Sequence, residues 1–307
     1  MATLIISYDC EGLWGMLDNL EELDSKKFNR ENLLSIYQQL IGLHEKYKIP
    51  ATFAFVSAFV LNKEKFLNHT AKYGDADCVH NWISKAFTKN KEFQDEDFFI
   101  PEIIEMIKRS EQNHEIATHG FSHTIMTDDV NCKDIELELE GVRIFDDQYN
   151  ISTQTIIFPR NVVNQSFLKK SKNLIGYRRA PKNPFRNSLL KRIYSLLKEF
   201  IPFCGSEQYE IRENRIEIPG DFFINWRSGL RKFVPIYITK KRFENALRHA
   251  IKNKGIVHIW LHPHNLITGH KQLLLHDELL SIAEKMIRDG KVNVMTQEEF
   301  CSLCLRT

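Results

Sequence analysis

The sequence predicts an α/β fold, a (β/α) barrel built on a largely parallel sheet. Three observations predict it. Short apolar runs alternate with longer segments of helical period along the whole chain. The chain of 307 residues, 43% hydrophobic and 27% charged, can bury one large core. The strand candidates number about seven, which suits a barrel better than a three-layer sheet.

The strand candidates are Leu4–Tyr8, Ala51–Val56, Glu115–Thr118, Thr155–Phe158, Ile216–Ile218, Ile256–Leu261 and Val292–Met295. Between them, helical periodicity marks Arg30–Tyr47, Pro101–Asn113, Lys133–Tyr149, Lys240–Asn253 and Gln272–Asp289. Pro101 suits a first helical turn, and Asp289-Gly290 supplies a C-terminal stop. No low-complexity linker or internal repeat interrupts the pattern, so residues 1–307 read as a single domain. Two stretches depart from the repeat, 61–99 and 185–231, and read as insertions on the barrel rim, where selectivity usually resides.

Composition narrows the function. With 42 basic against 40 acidic residues, no broad surface for nucleic acid is indicated. Six cysteines are too sparse for a disulfide scaffold. Cys301-Ser-Leu-Cys304 reads as two small residues on one helix face. The N-terminus lacks a basic region and meets a charge at Asp9, and no apolar run is long enough to span a bilayer. A cytoplasmic chain is expected. Oligomeric state is not readable.

Chemistry concentrates at predicted strand exits. In Ser7-Tyr8-Asp9-Cys10-Glu11-Gly12, alternation puts Asp9 and Glu11 on one face and Cys10 on the other. Two carboxylates side by side suit a metal ligand beside a general base. In Glu115-Ile-Ala-Thr-His119-Gly-Phe-Ser-His123, two imidazoles four apart can converge on one ion. In Ile256-Val-His-Ile-Trp-Leu-His262-Pro-His264-Asn265, His262 leaves a strand apolar enough to be buried on both faces, and His258 reads as a core histidine. Together these indicate a metal hydrolase.

In these motifs and their order the chain resembles the polysaccharide deacetylase family, the NodB homology domain or carbohydrate esterase family 4. The resemblance covers most of the chain. It implies a distorted (β/α)7 barrel and a divalent metal, commonly zinc. It further implies Glu11, His119 and His123 as metal ligands, Asp9 as general base and His262 as general acid. Phe158-Pro159-Arg160-Asn161 falls where the family has its arginine and proline motif, making Arg160 a candidate for orienting base or substrate. The chain departs from the family in three places. Cys10 stands where a second aspartate is commonest, which leaves a thiolate ligand as the alternative to Glu11. Gly120 replaces a hydroxyl residue, and the aspartate-tryptophan motif is matched only loosely by Asp221 and Asn225-Trp226-Arg227.

The implied reaction removes an N-acyl group, acetyl or formyl, from an amino sugar. The expected substrate is a small nucleotide- or lipid-linked precursor of a surface glycan. Tyr177-Arg178-Arg179-Ala180-Pro181-Lys182 could meet its diphosphate, or be a solvated turn. Lys191–Ile201 has basic and apolar faces, which fits peripheral membrane contact or a helix packed on the barrel. His264 is the rival acid, also able to orient substrate. Two other readings remain: a metal-dependent hydrolase of non-sugar linear or cyclic amides, and an inactive carbohydrate-binding barrel.

Overall fold

The fold was analysed in a computed structural model. It describes residues 1–88, 92–127, 129–180, 188–202 and 206–306. Among these residues ten strands form one sheet: β1 (Ala2–Cys10), β2 (Thr52–Phe55), β3 (Glu115–Thr118), β4 (Thr155–Ile157), β5 (Gly176–Arg179), β6 (Glu210–Arg212), β7 (Arg215–Pro219), β8 (Phe222–Phe223), β9 (Ile256–Leu261) and β10 (Val292–Val294). The path runs β6-β7-β5-β4-β3-β2-β1-β9-β8, with β10 joined to β1. These strand pairs are parallel except the β6–β7 hairpin, and an isolated antiparallel bridge joins Glu207 to Ile256.

The sheet curls into a distorted (β/α) barrel, and the closure comes from one segment that changes partner. Along 215–219 the chain pairs with β5, and two residues later β8 pairs with β9. Gly220 and Asp221 make the switch. Counting 215–223 as one stave, the path among the described residues runs through seven parallel staves, β1, β2, β3, β4, β5, β7–β8 and β9, with the short parallel β10 beside the start of β1.

Alternation along β1 divides its side chains between two environments. Ile5, Ser7 and Asp9 face inward, where Ile5 meets Ile216, Ile218 and Ile256. Tyr8 and Cys10 face the helices. The Tyr8 hydroxyl lies 2.6 Å from both His44 Nε2 and His276 Nε2, on the helices Arg30–Tyr47 and Gln272–Arg288. The barrel floor is closed by the helix Gln297–Arg306, whose Phe300, Cys301 and Cys304 pack on that isoleucine cluster. Cys301 and Cys304 form no disulfide, and both pack in this cluster as expected.

β3 and β9 carry the predicted bounds. β5, β6 and β8 were not expected. Stretch 61–99 is largely helical, with Lys63–Thr70, Asp77–Thr88 and Asp95–Phe98. Within 185–231, residues 185–187 and 203–205 lie outside the described residues, as do Pro181 and Lys182 of the basic cluster. No helix among the described residues is long and apolar enough to cross a membrane.

Candidate active site

Every predicted site residue sits at or just past the C-terminal end of a barrel strand, the end where catalytic groups gather in such folds. All but Arg178 line a cavity of about 600 Å³, within the range of small-molecule sites.

Glu11 is the hub. Its Oε2 lies 2.9 Å from His123 Nε2 and 3.5 Å from His119 Nε2, and its Oε1 lies 3.6 Å from His262 Nε2. Burial acts to raise its pKa, but the histidines around it prevail and hold the carboxyl well below its ordinary range. The chain permits this position because residue 15 is glycine. A Cβ there would come within 2.1 Å of Glu11 Cδ. Cys10 points the other way, into the core beside Tyr37, and burial pushes its thiol well up. Cys10 belongs to neither group of converging donor atoms and its side chain packs among the helices, so geometry favours Glu11 over the thiolate alternative.

Both histidines come from the loop after β3, and that loop is fastened from below. Glu138, buried in the helix Cys132–Tyr149, accepts hydrogen bonds from Phe121 N at 2.6 Å and Ser122 N at 3.1 Å, and one from Ser122 Oγ. Gly120 has φ +83, and a Cβ on it would approach Glu138 Oε2 to 3.0 Å. The glycine is thus required by the turn. His123 itself is held at φ 67, a strained conformation for a non-glycine residue.

A divalent ion fits these donors. His119 Nδ1 donates to the Ile157 carbonyl at 2.6 Å, which leaves a lone pair on Nε2, and that buried atom has no hydrogen-bond partner. Ligand atoms around a tetrahedral zinc, with bonds of about 2.0–2.1 Å, sit roughly 3.3 Å apart. The 2.9 and 3.5 Å separations here bracket that spacing. One carboxylate oxygen and two imidazole nitrogens are a donor set zinc accepts. Replacing Glu138 by alanine is expected to weaken metal binding by about 10–100-fold, the usual effect of removing a ligand's support. Equilibrium dialysis against zinc measures it. Unchanged affinity would mean that Glu138 does not set the loop.

Asp9 stands beside this group and is gripped by Arg178, which the sequence reading placed elsewhere. Arg178 Nη1 and Nη2 donate to the two Asp9 oxygens at 2.7 and 2.6 Å, and Nε donates to Asn161 Oδ1 at 3.0 Å. The guanidinium lies 3.9 Å from the Trp260 ring centre. Behind it, His258 Nδ1 donates to the Pro219 carbonyl at 3.0 Å. Ser7 Oγ lies 2.8 Å from His258 Nε2 and 3.4 Å from Arg178 Nη1. His258 is the satisfied core histidine expected. Burial works to raise the Asp9 pKa, but Arg178 outweighs it and keeps the carboxyl below its ordinary value.

Two expectations are corrected. Arg178 is fully buried and committed to Asp9, and Arg179 is paired with Glu207, so neither is free for a diphosphate. Arg160 does not reach Asp9. It pairs with Asp18 at the cavity rim, over Trp82, so orienting the base falls to Arg178 and only a substrate role stays open to Arg160.

His262 closes the constellation from the opposite side. Its Nε2 lies 3.8 Å from Asp9 Oδ2, and the ring is 22% exposed, the most exposed histidine of the group. Asn265 Nδ2 lies 3.4 Å from Nδ1. As a donor it leaves the ring proton on Nε2, toward the cavity. His264 is buried, stacked on His262 at 5.2 Å and packed against Phe28. Burial first, then the neighbouring His262, pushes it down to about 3. Asp221 and Arg227, from the loosely matched motif, do not touch Asp9. Arg227 is spent on the carbonyls of His270, Val234 and Lys232.

No protein-family model matches this chain, and no curated protein matches it. Solved structures do. A candidate polysaccharide deacetylase from Mycobacterium smegmatis superposes with a TM-score of 0.63 at 11% identity, over 98% of this chain and 88% of that one. Another, from Pseudomonas aeruginosa PAO1, gives 0.60 at 12%, over 98% and 89%. Puue allantoinase gives 0.52 at 11%, over 98% and 89%. The chain is thus an α/β protein of the distorted (β/α)-barrel class. Its fold is that of the polysaccharide deacetylases, the family its motifs resemble.

Proposed function

We infer that this protein is a metal-dependent hydrolase that removes an acetyl or formyl group from the nitrogen of an amino sugar. The observation that carries the reading is the placement of Asp9 and His262 around Glu11, His119 and His123 in one cavity. A divalent ion held by those three side chains, zinc by preference, supplies Lewis-acid polarisation of the acyl carbonyl. Asp9, kept ionised and oriented by Arg178, takes a proton from the attacking water. His262 protonates the departing nitrogen from Nε2, because an amine leaves poorly without a proton. The amide C–N bond breaks, the water oxygen joins the acyl carbon, and the products are a carboxylic acid and a free amino sugar.

The cavity suits a sugar. Phe223, Trp226 and Trp260 supply flat apolar surfaces in its lining. Of the two carriers, a lipid is favoured. The segment Gly229–Phe233 borders the cavity, and Leu230, Phe233 and Tyr237 are 67%, 65% and 67% exposed. Ile193 and Leu197 on the helix Ser188–Glu199 also face outward, and Arg231–Glu199 ties the two segments at 2.8 Å. Such a rim fits peripheral contact with a membrane carrying a surface-glycan precursor on its cytoplasmic side.

The test is amine release by the zinc-loaded protein from lipid-linked and nucleotide-linked N-acyl sugars, alongside simple linear and cyclic amides. Release from the sugars supports the reading. Release only from non-sugar amides transfers the protein to amide metabolism, and sugar binding without release makes it a binding barrel. Within this test, His262→Ala is expected to impair amides far more than activated esters, whose leaving groups need no proton. Equal damage to both classes, with His264→Ala selective for amides, would move the acid role to His264.

A further inference from the structure

Glu11 stands between two pairs of histidines, and the reaction above uses only one pair as ligands. Oε2 faces His119 and His123. Oε1 faces His262, on which His264 is stacked. Donor atoms of Glu11, His262 and His264 lie within 4.8 Å of one another, just as those of Glu11, His119 and His123 do. His264 is 7% exposed, and its Nδ1 has no hydrogen-bond partner. A buried imidazole nitrogen left unpaired is unfavourable, so packing alone accounts poorly for a histidine here.

We propose that Glu11, His262 and His264 form a second divalent-cation site that fills when metal is in excess. Carboxylates commonly link the ions of two-metal centres, and Glu11 has one oxygen turned to each histidine pair. The second site is the weaker one. It shares its only carboxylate with the first, and the two cations repel. Occupancy there engages the ring that serves as acid. This consequence rests on the role given to His262 above, whereas the binding itself does not. Excess zinc is therefore inhibitory.

Zinc titration of the metal-free protein, followed by dialysis and metal analysis, tests the binding. The wild type should take up two ions per chain, the second at least tenfold more weakly. His264→Ala and the ring-preserving His264→Phe should each stop at one. Histidine ring NMR signals of the wild type give a measurement that needs no variant: the first equivalent should move His119 and His123, the second His262 and His264. Saturation at one ion, retention of the second ion in His264→Phe, or a second equivalent that moves other histidines would each overturn the proposal. In the wild type, loss of amide hydrolysis should track the second equivalent. If no N-acyl amine is hydrolysed at all, stoichiometry and NMR still decide the site by themselves.

Discussion

Asp9→Asn should retain its metal and lose turnover by roughly a hundredfold or more, the usual size of a general-base contribution. Asp9 is not among the three donors that converge on one point, so the substitution leaves Glu11, His119 and His123 in place. It removes the proton acceptor and nothing else of the chemistry. The substituted side chain leaves the buried Arg178 with no counter-charge, so melting must be followed with the kinetics and rates compared where both proteins are folded. The pH profile adds a second check. Because Arg178 holds the Asp9 carboxyl below its ordinary value, the acidic limb of the wild-type profile should fall below the usual carboxylate range. Metal content equal to wild type with turnover reduced less than tenfold would remove Asp9 from the role of base.

Which parts were legible in the sequence follows from how each residue advertises its place. β3 and β9 are short strands each followed at once by a histidine, so both their bounds and their functional exits could be read. The alternation that puts Asp9 and Glu11 together and Cys10 in the core follows from strand geometry alone. β5 was missed because its sequence is Gly-Tyr-Arg-Arg. Two adjacent arginines look solvated, and only the carboxylate delivered by β1, far away in sequence, makes burial of Arg178 tolerable. Alternation within a four-residue strand would have been the only clue. The helix Asp77–Thr88 was legible but overlooked: Val79, Trp82, Ile83 and Ala86 are its buried face, at helical spacing, inside a stretch read only as a rim insertion. The partner change between β7 and β8 has no local signature, since Pro219-Gly220-Asp221 reads as an ordinary turn.

Arg178→Met is expected to be the most destabilising single change in the site. It keeps the bulk against Trp260 but strands a buried carboxylate, and breaking one side of a buried ion pair costs about 3–5 kcal/mol. In a chain of this size that is a fall of about 10 °C in Tm. Metal should remain bound, since Arg178 belongs to neither donor group. Turnover should drop as well, because Asp9 loses both its orientation and the charge that keeps it ionised. Arg178→Lys should recover part of the stability, having the charge without the two parallel donors. The decisive comparison is the double variant Asp9→Asn, Arg178→Met. With no charge left on either side, it should melt higher than Arg178→Met alone while staying inactive, a coupling that two independent packing defects would not produce. If the two losses simply add, the Arg178 guanidinium is holding the barrel wall rather than the base.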